Sequence, residues 1–589
     1  MNQSNHLILF TLGPVQSFIA QARKTQDLYA GSRLLSDLIK VAIDQVGETN
    51  LIFPAKGDAM PNRFLAYVSS EITDFQKFGE DVERCVRKEW NTKANKTLKD
   101  IKVVKPQGFD EQIVQHLEIY WIIDELADSY TETLKRMEKQ LAAIKNIRPF
   151  SQINYQKNIT GEKGRKCSLD GQRNALFVRE RTNKDGSNSI PAYMTGAHEI
   201  VNKPDLSEGE GLSAVSFVKR FLINNEGGFD STADIALKYT LNQIGNKPQI
   251  KTYIALIQKA NSQLYYEENV KEERLKKILR EAGIKESSCE SYKICSDEIR
   301  QAVKNKGLSM QKYYAILTFD GDDMGKWLAG EFLEDNKKLE GFHKAFALQL
   351  GVFAKQAKLE VDKVGRTVYA GGDDFLGFVN LHYLLPVLKN LRSIFREIVN
   401  DPLHQKFNLL KELSFSAGIC VAHYKEPLSL VLDTARNAQD ASKDSKVKNA
   451  FAISVIKGSG ENHMGVLPFG SNDENLVFLE ELVQKLIEGD FSNNFIKNIQ
   501  REFERISQSL GKEDYENMFT AEFQRLLHRS ANNRDWSKEE KKSQTQNLTI
   551  RLLKLQANQP DNFFELLHIA DFFQRILNET PQIQESQTV

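Results

Sequence analysis

Arg366-Thr-Val-Tyr-Ala-Gly-Gly-Asp-Asp-Phe-Leu-Gly-Phe-Val379 carries two apolar, β-prone runs, Thr367–Ala370 and Phe375–Val379, joined by Gly371-Gly372. That spacing predicts a β-hairpin, because a tight turn needs positive φ and glycine adopts it without strain. Asp373 and Asp374 follow the turn directly. Two adjacent carboxylates there cost repulsion and strand propensity unless a metal neutralises them. Gly371 and Gly372 also let a bulky, charged ligand approach the backbone closely. The competing reading is a polar hairpin tip at the surface.

Working upstream, Tyr313-Tyr-Ala-Ile-Leu-Thr-Phe319 is strand-like and ends in Asp320-Gly-Asp-Asp-Met-Gly-Lys326. From Gly341 to Val364 the apolar residues Phe342, Phe346, Leu350, Phe353, Ala357 and Val361 keep helical spacing. The order is strand, acidic end, helix, strand, Gly-Gly-Asp-Asp, strand. Such a crossover predicts two parallel strands and allows them to be neighbours, with Asp320 near Asp373 at one edge of the sheet. Converging carboxylates can hold two Mg²⁺ ions, which complete their shells with water and substrate phosphates. Taken alone, Asp322 and Asp323 read as a solvated helix start; two acidic sites together argue for more.

Tyr-Ala-Gly-Gly-Asp-Asp with the upstream Asp-Gly-Asp-x-Met-Gly-Lys resembles the palm domain of the large subunit of type III CRISPR RNA-guided effector complexes, in the Cmr (III-B) branch. Palms of this kind are shared with nucleotidyl cyclases, diguanylate cyclases and polymerases. The segment Leu12–Ser36 is similar to that branch's opening, and Phe415–Leu428 with Ala435–Ala450 to its later palm strand and helix. Together the likeness spans most of residues 8–455.

The resemblance implies ATP as substrate and Mg²⁺ or Mn²⁺ as cofactor. Its product would be a cyclic oligoadenylate, made when target RNA pairs with the guide, or AMP joined to another acceptor such as S-adenosylmethionine. A ribose 3′-hydroxyl would attack the α-phosphate and release pyrophosphate. Asp320 and Asp373 are the first-choice metal ligands, with the Gly321 carbonyl as a third. Strand alternation sets Asp374 on the opposite face from Asp373 unless the turn bulges; it then orients the ribose or supports a ligand instead of binding metal itself. Lys443 is a candidate for triphosphate contact, against simple solvation. By resemblance, Ser416, Ala417 and Gly418 would line a purine pocket. Implied partners are guide CRISPR RNA, target RNA and the other Cmr subunits, including the small helical subunit and the adjacent subunit that binds the guide tag. The family's N-terminal histidine–aspartate nuclease is expected to be missing, since no His-Asp dipeptide occurs.

The length of 589 residues suggests about four domains, and 41% hydrophobic content suffices for several cores. Lysine plus arginine equals aspartate plus glutamate at 79 each, so RNA contact must be local or come from a larger complex. Five scattered cysteines make no disulfide framework. With no signal peptide and no membrane-length apolar run, a cytoplasmic, soluble protein without membrane contact is expected.

The predicted class is α+β: two ferredoxin-like palm (nucleotidyl cyclase-like) domains, a helical connector and a helical C-terminal domain. Residues 1–215 read as a degenerate first palm with helical and basic insertions, 216–307 as the connector, 308–458 as the catalytic palm with its Gly-Gly-Asp-Asp motif, and 459–589 as the C-terminal helices. The first palm has strand-like runs at 7–10, Leu51–Phe53 and Phe64–Val68, with no acidic pair at the equivalent turn. Its Arg23 and Lys24 reach a nucleotide or RNA, or lie on a solvated face. Residues 73–145 read as mostly helical and charged. Lys93–Lys105, and Arg148, Phe150, Tyr155, Lys157 and Arg165, suit RNA phosphates and bases or plain solvation. Where the family often has half of a zinc site, Lys166-Cys-Ser-Leu-Asp-Gly171 has Asp170 in place of the second cysteine, and no zinc is expected.

Two rivals remain at this point. One is a diguanylate-cyclase-like signalling enzyme; against it stand the second palm-like unit and the lack of an Arg-x-x-Asp pattern just before Gly371. The other is a catalytically idle RNA-binding scaffold, which would have no reason to keep such costly acids.

Overall fold

The computed structural model describes residues 6–578 apart from 58, 127–128, 148–153, 157–158, 161–163, 184, 192, 195–197, 223–228, 445–447, 459, 508–511 and 559. Arg148, Phe150 and Lys157 of the basic–aromatic stretch lie outside the described residues, as does the side chain of Tyr155.

The first palm runs β1 (His6–Gly13), α1 (Thr25–Val46), β2 (Leu51–Phe53), β3 (Arg63–Tyr67), α2 (Phe75–Ile101) and β4 (Glu118–Glu125), followed by α3 (Tyr130–Asn146). Its sheet has the order β2–β3–β1–β4, all antiparallel, with Leu7 opposite Tyr67 and Asp124. This is the ferredoxin-like arrangement. Residues 73–145 are mostly helical, as expected, with strand β4 as the exception: Ile119-Tyr-Trp-Ile-Ile123 is covered on both faces, so it lacks the alternation that marks a half-buried strand. Ile119 packs with Ile8 and Phe10, while Ile122 packs under Leu134, Met137 and Leu141 of α3.

Helix α4 (Ala214–Phe221) returns to the first palm, and the helices between Thr232 and Asn305 build a connector around Leu237, Ile257, Tyr265 and Ile299. In the connector's approach, the turn Cys167–Gly171 is closed by Asp170. That carboxylate accepts from the Ser213 hydroxyl at 2.7 Å and from the amides of Gln172 and Arg173 at 2.8 and 3.0 Å.

The second palm comprises β5 (Tyr313–Gly321), α5 (Leu339–Val364), β6 (Gly365–Ala370), β7 (Asp374–Asn380), α6 (Leu384–Phe395), β8 (Phe415–His423), α7 (Leu428–Asp444), β9 (Ala450–Ile456) and β10 (Asn462–Pro468). Its six-stranded order is β6–β7–β5–β8–β9–β10. The first four strands repeat the first palm's topology; the α7 crossover then adds β9 parallel to β8, and β10 folds back antiparallel. The sheet thus continues past residue 458, and the helices that follow begin at Glu474.

β5 and β6 are parallel, as the crossover requires, but they are not neighbours. The Gly-Gly turn folds β7 back into the slot between them. Alternation along β5 splits its side chains. Ala315, Leu317 and Phe319 face α5, with Phe319 stacked between Phe375 and Phe415 at 4.8 and 4.4 Å. Tyr314 and Ile316 face the other way, into the cluster that holds Ile8, Phe10, Leu34 and Leu38. The face of the second sheet away from α5 is therefore shared between α7 and the first palm, and the ends of β5 and β7 open into the seam between the palms.

Candidate active site

The hairpin is built as its composition requires. Gly372 has φ 106°, in the left-handed region that glycine tolerates. At Gly371 an added Cβ would lie 1.7 Å from the Tyr369 hydroxyl, so only glycine lets that ring lie beneath the turn. The Gly371 amide donates to the Asp374 carbonyl and the Gly321 amide to the Asp373 carbonyl, each at 3.0 Å. These bonds tie the tip of the hairpin to the end of β5.

In that register Asp320 lies directly opposite Asp374 on one side and Ser416 on the other. Cβ atoms of directly opposite strand residues are about 4.5–5.5 Å apart. Both carboxylates line a cavity of about 300 Å³ between the palms. Asp373 does not line it. Asp373 does lie beside the end of β5, as expected, its carbonyl bonded to the Gly321 amide, but it is Asp374 that stands opposite Asp320 and shares the cavity with it.

The second palm's wall continues along one face of α7: Arg436, Gln439, Asp440 and Lys443. Gln439 accepts from the Thr318 hydroxyl at 2.8 Å, and the Lys443 ammonium sits on the Asp320 carboxylate. From the first palm come Gln16 and the apolar Ile19, Leu35 and Met60. A second cavity of about 370 Å³ lies behind Gly371 and Gly372, beside Lys355 and Lys358, and shares Ser32 and Tyr369 with the first.

Partial desolvation at the cavity mouth pushes the Asp374 carboxyl up to about 7, and the Asp373 charge adds to it. Burial raises Asp373 as well. Burial lowers the Lys443 ammonium to about 8, with Lys448 contributing.

Other candidate residues have different duties. Asp322 is buried and accepts from the Ser414 and Ser416 hydroxyls at 2.6 and 2.7 Å and from the Asn449 amide at 3.0 Å. Asp323 is paired with Lys411 and Lys448 at 2.8 and 2.6 Å, which hold it down near 2. None of Ser416, Ala417 and Gly418 lines the cavity. Ser416 serves Asp322, Ala417 is sealed in the core, and a Cβ on Gly418 would lie 2.3 Å from the Ala435 carbonyl oxygen. Gly418 is where α7 presses on β8. Arg23 and Lys24 line a separate cleft of about 1350 Å³, and Lys24 turns inward to the Asp205 carbonyl at 2.7 Å.

Sequence reasoning missed Thr318, Arg436, Gln439 and Asp440. The i, i+3, i+4, i+7 spacing from Arg436 to Lys443 was a readable signal for one helix face. Among the described residues no group of three or more His, Cys, Asp or Glu side chains converges as a metal site, and no helix is long and apolar enough to cross a membrane.

Residues 313–452 match the family model described as Cas10/Cmr2, second palm domain, and residues 7–95 the one described as CRISPR-associated protein Cmr2, N-terminal. The CRISPR system Cmr subunit Cmr2 of Pyrococcus furiosus is 25% identical over 608 residues, covering 84% of this chain; the chain spans 66% of that relative's length. The type III-B Cmr-beta structure bound to cognate target RNA has a TM-score of 0.62 at 13% identity, covering 91% of this chain and 79% of that one. The apo state of Cmr-beta gives 0.58 at 13%, covering 91% and 78%. At such identity these structures speak for the fold. Two family models matched in chain order, and a curated relative aligned over most of the chain, liken it to the Cas10/Cmr2 family, on its Cmr (type III-B) side.

Proposed function

We propose that this chain is the large subunit of a type III-B CRISPR RNA-guided complex, and that its second palm is a target-RNA-activated nucleotidyltransferase. It makes an adenylate second messenger from ATP, either a cyclic oligoadenylate or an AMP conjugate such as one with S-adenosylmethionine. The observation that carries this reading is the pairing of Asp320 with Asp374 at the mouth of one cavity between two palms.

The donor set fits a divalent ion that brings its own water and phosphate ligands. Two carboxylates, one already holding a cation in the form of the Lys443 ammonium, are the number Mg²⁺ takes from a protein beside a nucleotide. Asp320 and Asp374 would hold it, with Asp373 and the Gly321 carbonyl beside them. When bound, such an ion neutralises phosphate charge and lowers the pKa of the attacking hydroxyl. Lys443, released from Asp320, meets the phosphates. Arg436 balances Asp374, and Ile19, Leu35 and Met60 exclude water from the base's side. The chain acts with guide RNA, target RNA and the other Cmr subunits.

The test is incubation of the reconstituted complex with labelled ATP or GTP, Mg²⁺ and matched target RNA, with mass analysis of products. An ATP-derived oligoadenylate or AMP conjugate is expected. Product that persists unchanged in Asp320→Ala plus Asp374→Ala returns the subunit to a scaffold role, and preference for GTP favours a diguanylate-cyclase-like enzyme.

A further inference from the structure

The wall that the first palm gives to the cavity is held from behind by two consecutive charged residues that no water reaches. Lys219, on α4, is 1% exposed. Its ammonium donates to the backbone carbonyls of Phe18, of Ile19 at 3.2 Å and of Gln21 at 2.8 Å, and lies 4.7 Å from the Phe18 ring centre. These carbonyls close the short helix Gln16–Ala20, whose opposite side presents Gln16 and Ile19 to the cavity. The next residue, Arg220, is fully buried and grips the other end of the same segment. Its guanidinium bonds both oxygens of Asp27, one at 2.8 Å, and reaches Glu210 at 3.2 and 3.3 Å. Asp27 in turn accepts from the amides of Arg23 and Lys24 at 3.0 Å each.

A buried ammonium bonded to carbonyl dipoles, with Asp27 the nearest compensating charge, is costly, and an apolar residue would fill the same space more cheaply. The chain also gives up helix stability for it. Gly31 lies mid-way in α1, where alanine would be preferred, and a Cβ there would meet the Lys219 Cε at 2.8 Å. The lysine stem runs through the notch that this glycine leaves. Packing alone accounts for neither the charge nor the notch; both fit a segment that must be held in one place.

We propose that Lys219, threaded past Gly31, is a positioning residue of the cavity: it fixes Gln16 and Ile19 against Asp320 and Asp374 so that the nucleotide is gripped from the first palm's side. The inference rests on the nucleotide-binding reading of the cavity. It assigns Lys219 no contact with substrate.

Two variants of the full chain in its complex separate this from a plain stability role. Gly31→Ala displaces the lysine while improving helix propensity; Lys219→Met removes the three bonds and keeps the bulk. For both, affinity for a non-hydrolysable ATP analogue with Mg²⁺, measured by calorimetry, is expected to fall roughly tenfold, about 1.4 kcal/mol. Gly31→Ala gains helix propensity but dislodges a buried ammonium, so the melting temperature should fall in both variants, and unchanged amide exchange in strands remote from residues 16–21 is the control against a general loss of stability. Hydrogen exchange at the amides of residues 16–21 should quicken in both. Unchanged exchange overturns the clamp whatever the ligand does. Faster exchange with unchanged affinity overturns its role in the cavity. Should the wild-type chain itself bind no nucleotide, the functional reading falls, and the exchange result alone decides whether the clamp exists.

Discussion

Lys443 places its ammonium on the carboxylate of Asp320, reaching from the last turn of α7 to the end of β5. The pair is a competition built into the free protein: whatever cation Asp320 takes must displace this one. Lys443→Met should therefore tighten Mg²⁺ binding in the absence of nucleotide while lowering ATP turnover by about 10- to 100-fold, the scale of a lost charge-assisted bond of roughly 1.5–3 kcal/mol. Calorimetric Mg²⁺ titration and product assays on one preparation check both signs. Weaker Mg²⁺ binding in the variant would count against the competition.

Asp374 gives a pH signature. Its carboxyl is raised to about 7 in the folded chain, so between the ordinary carboxylate range and about 7 the native state binds more protons than the unfolded state. Stability from this group then falls as pH rises through that window. Asp374→Asn removes the slope. Its melting temperature relative to wild type should climb between pH 4 and pH 8 in metal-free buffer (a window taken from ordinary and raised carboxyl values). A difference that stays flat refutes the assignment.

The acids of the Asp-Gly-Asp-Asp run should part company on mutation. Asp322→Ala strands three buried donors and should cost about 2–4 kcal/mol in denaturant unfolding. Asp320→Ala should leave stability within about 1 kcal/mol, because its ion-pair partner among the described residues is a partly exposed lysine, while abolishing product. Equal destabilisation by the two would contradict the division of labour.

Gly418→Ala pushes a methyl against the backbone of α7, 2.3 Å from both the Ala435 oxygen and the Gln439 nitrogen. Overpacking of this kind costs about 1–3 kcal/mol. Turnover should drop with it, since Arg436, Gln439, Asp440 and Lys443 all ride on the displaced helix. Chemical unfolding beside product assays measures the pair, and full activity in the variant would show that α7 has room to yield.

The hairpin at Gly371-Gly372, the long helix α5 and the strand ending at Asp320 could be read directly, because each has an unbroken period or an obligatory turn residue. β4 could not: covered on both faces, Ile119–Ile123 has no alternation to display. The neighbour of Asp320 was also hidden, since a crossover fixes direction but not which strand fills the slot. The roles of Ser416 and Gly418 depend on contacts with Asp322 and α7 that lie far apart in the chain. Local pattern does not carry such contacts, whereas the α7 face with its four polar residues was visible in the spacing and went unread.

Because α7 roofs the second sheet and also bears four of the cavity's polar residues, the same seventeen-residue helix is both beam and toolset. Substitutions that retune recognition there are paid for in rigidity. An engineer who wants a silent but intact subunit should leave that helix alone and cut at the strand tips instead, at Asp320 and Asp374, where the chemistry ends and the framework does not begin.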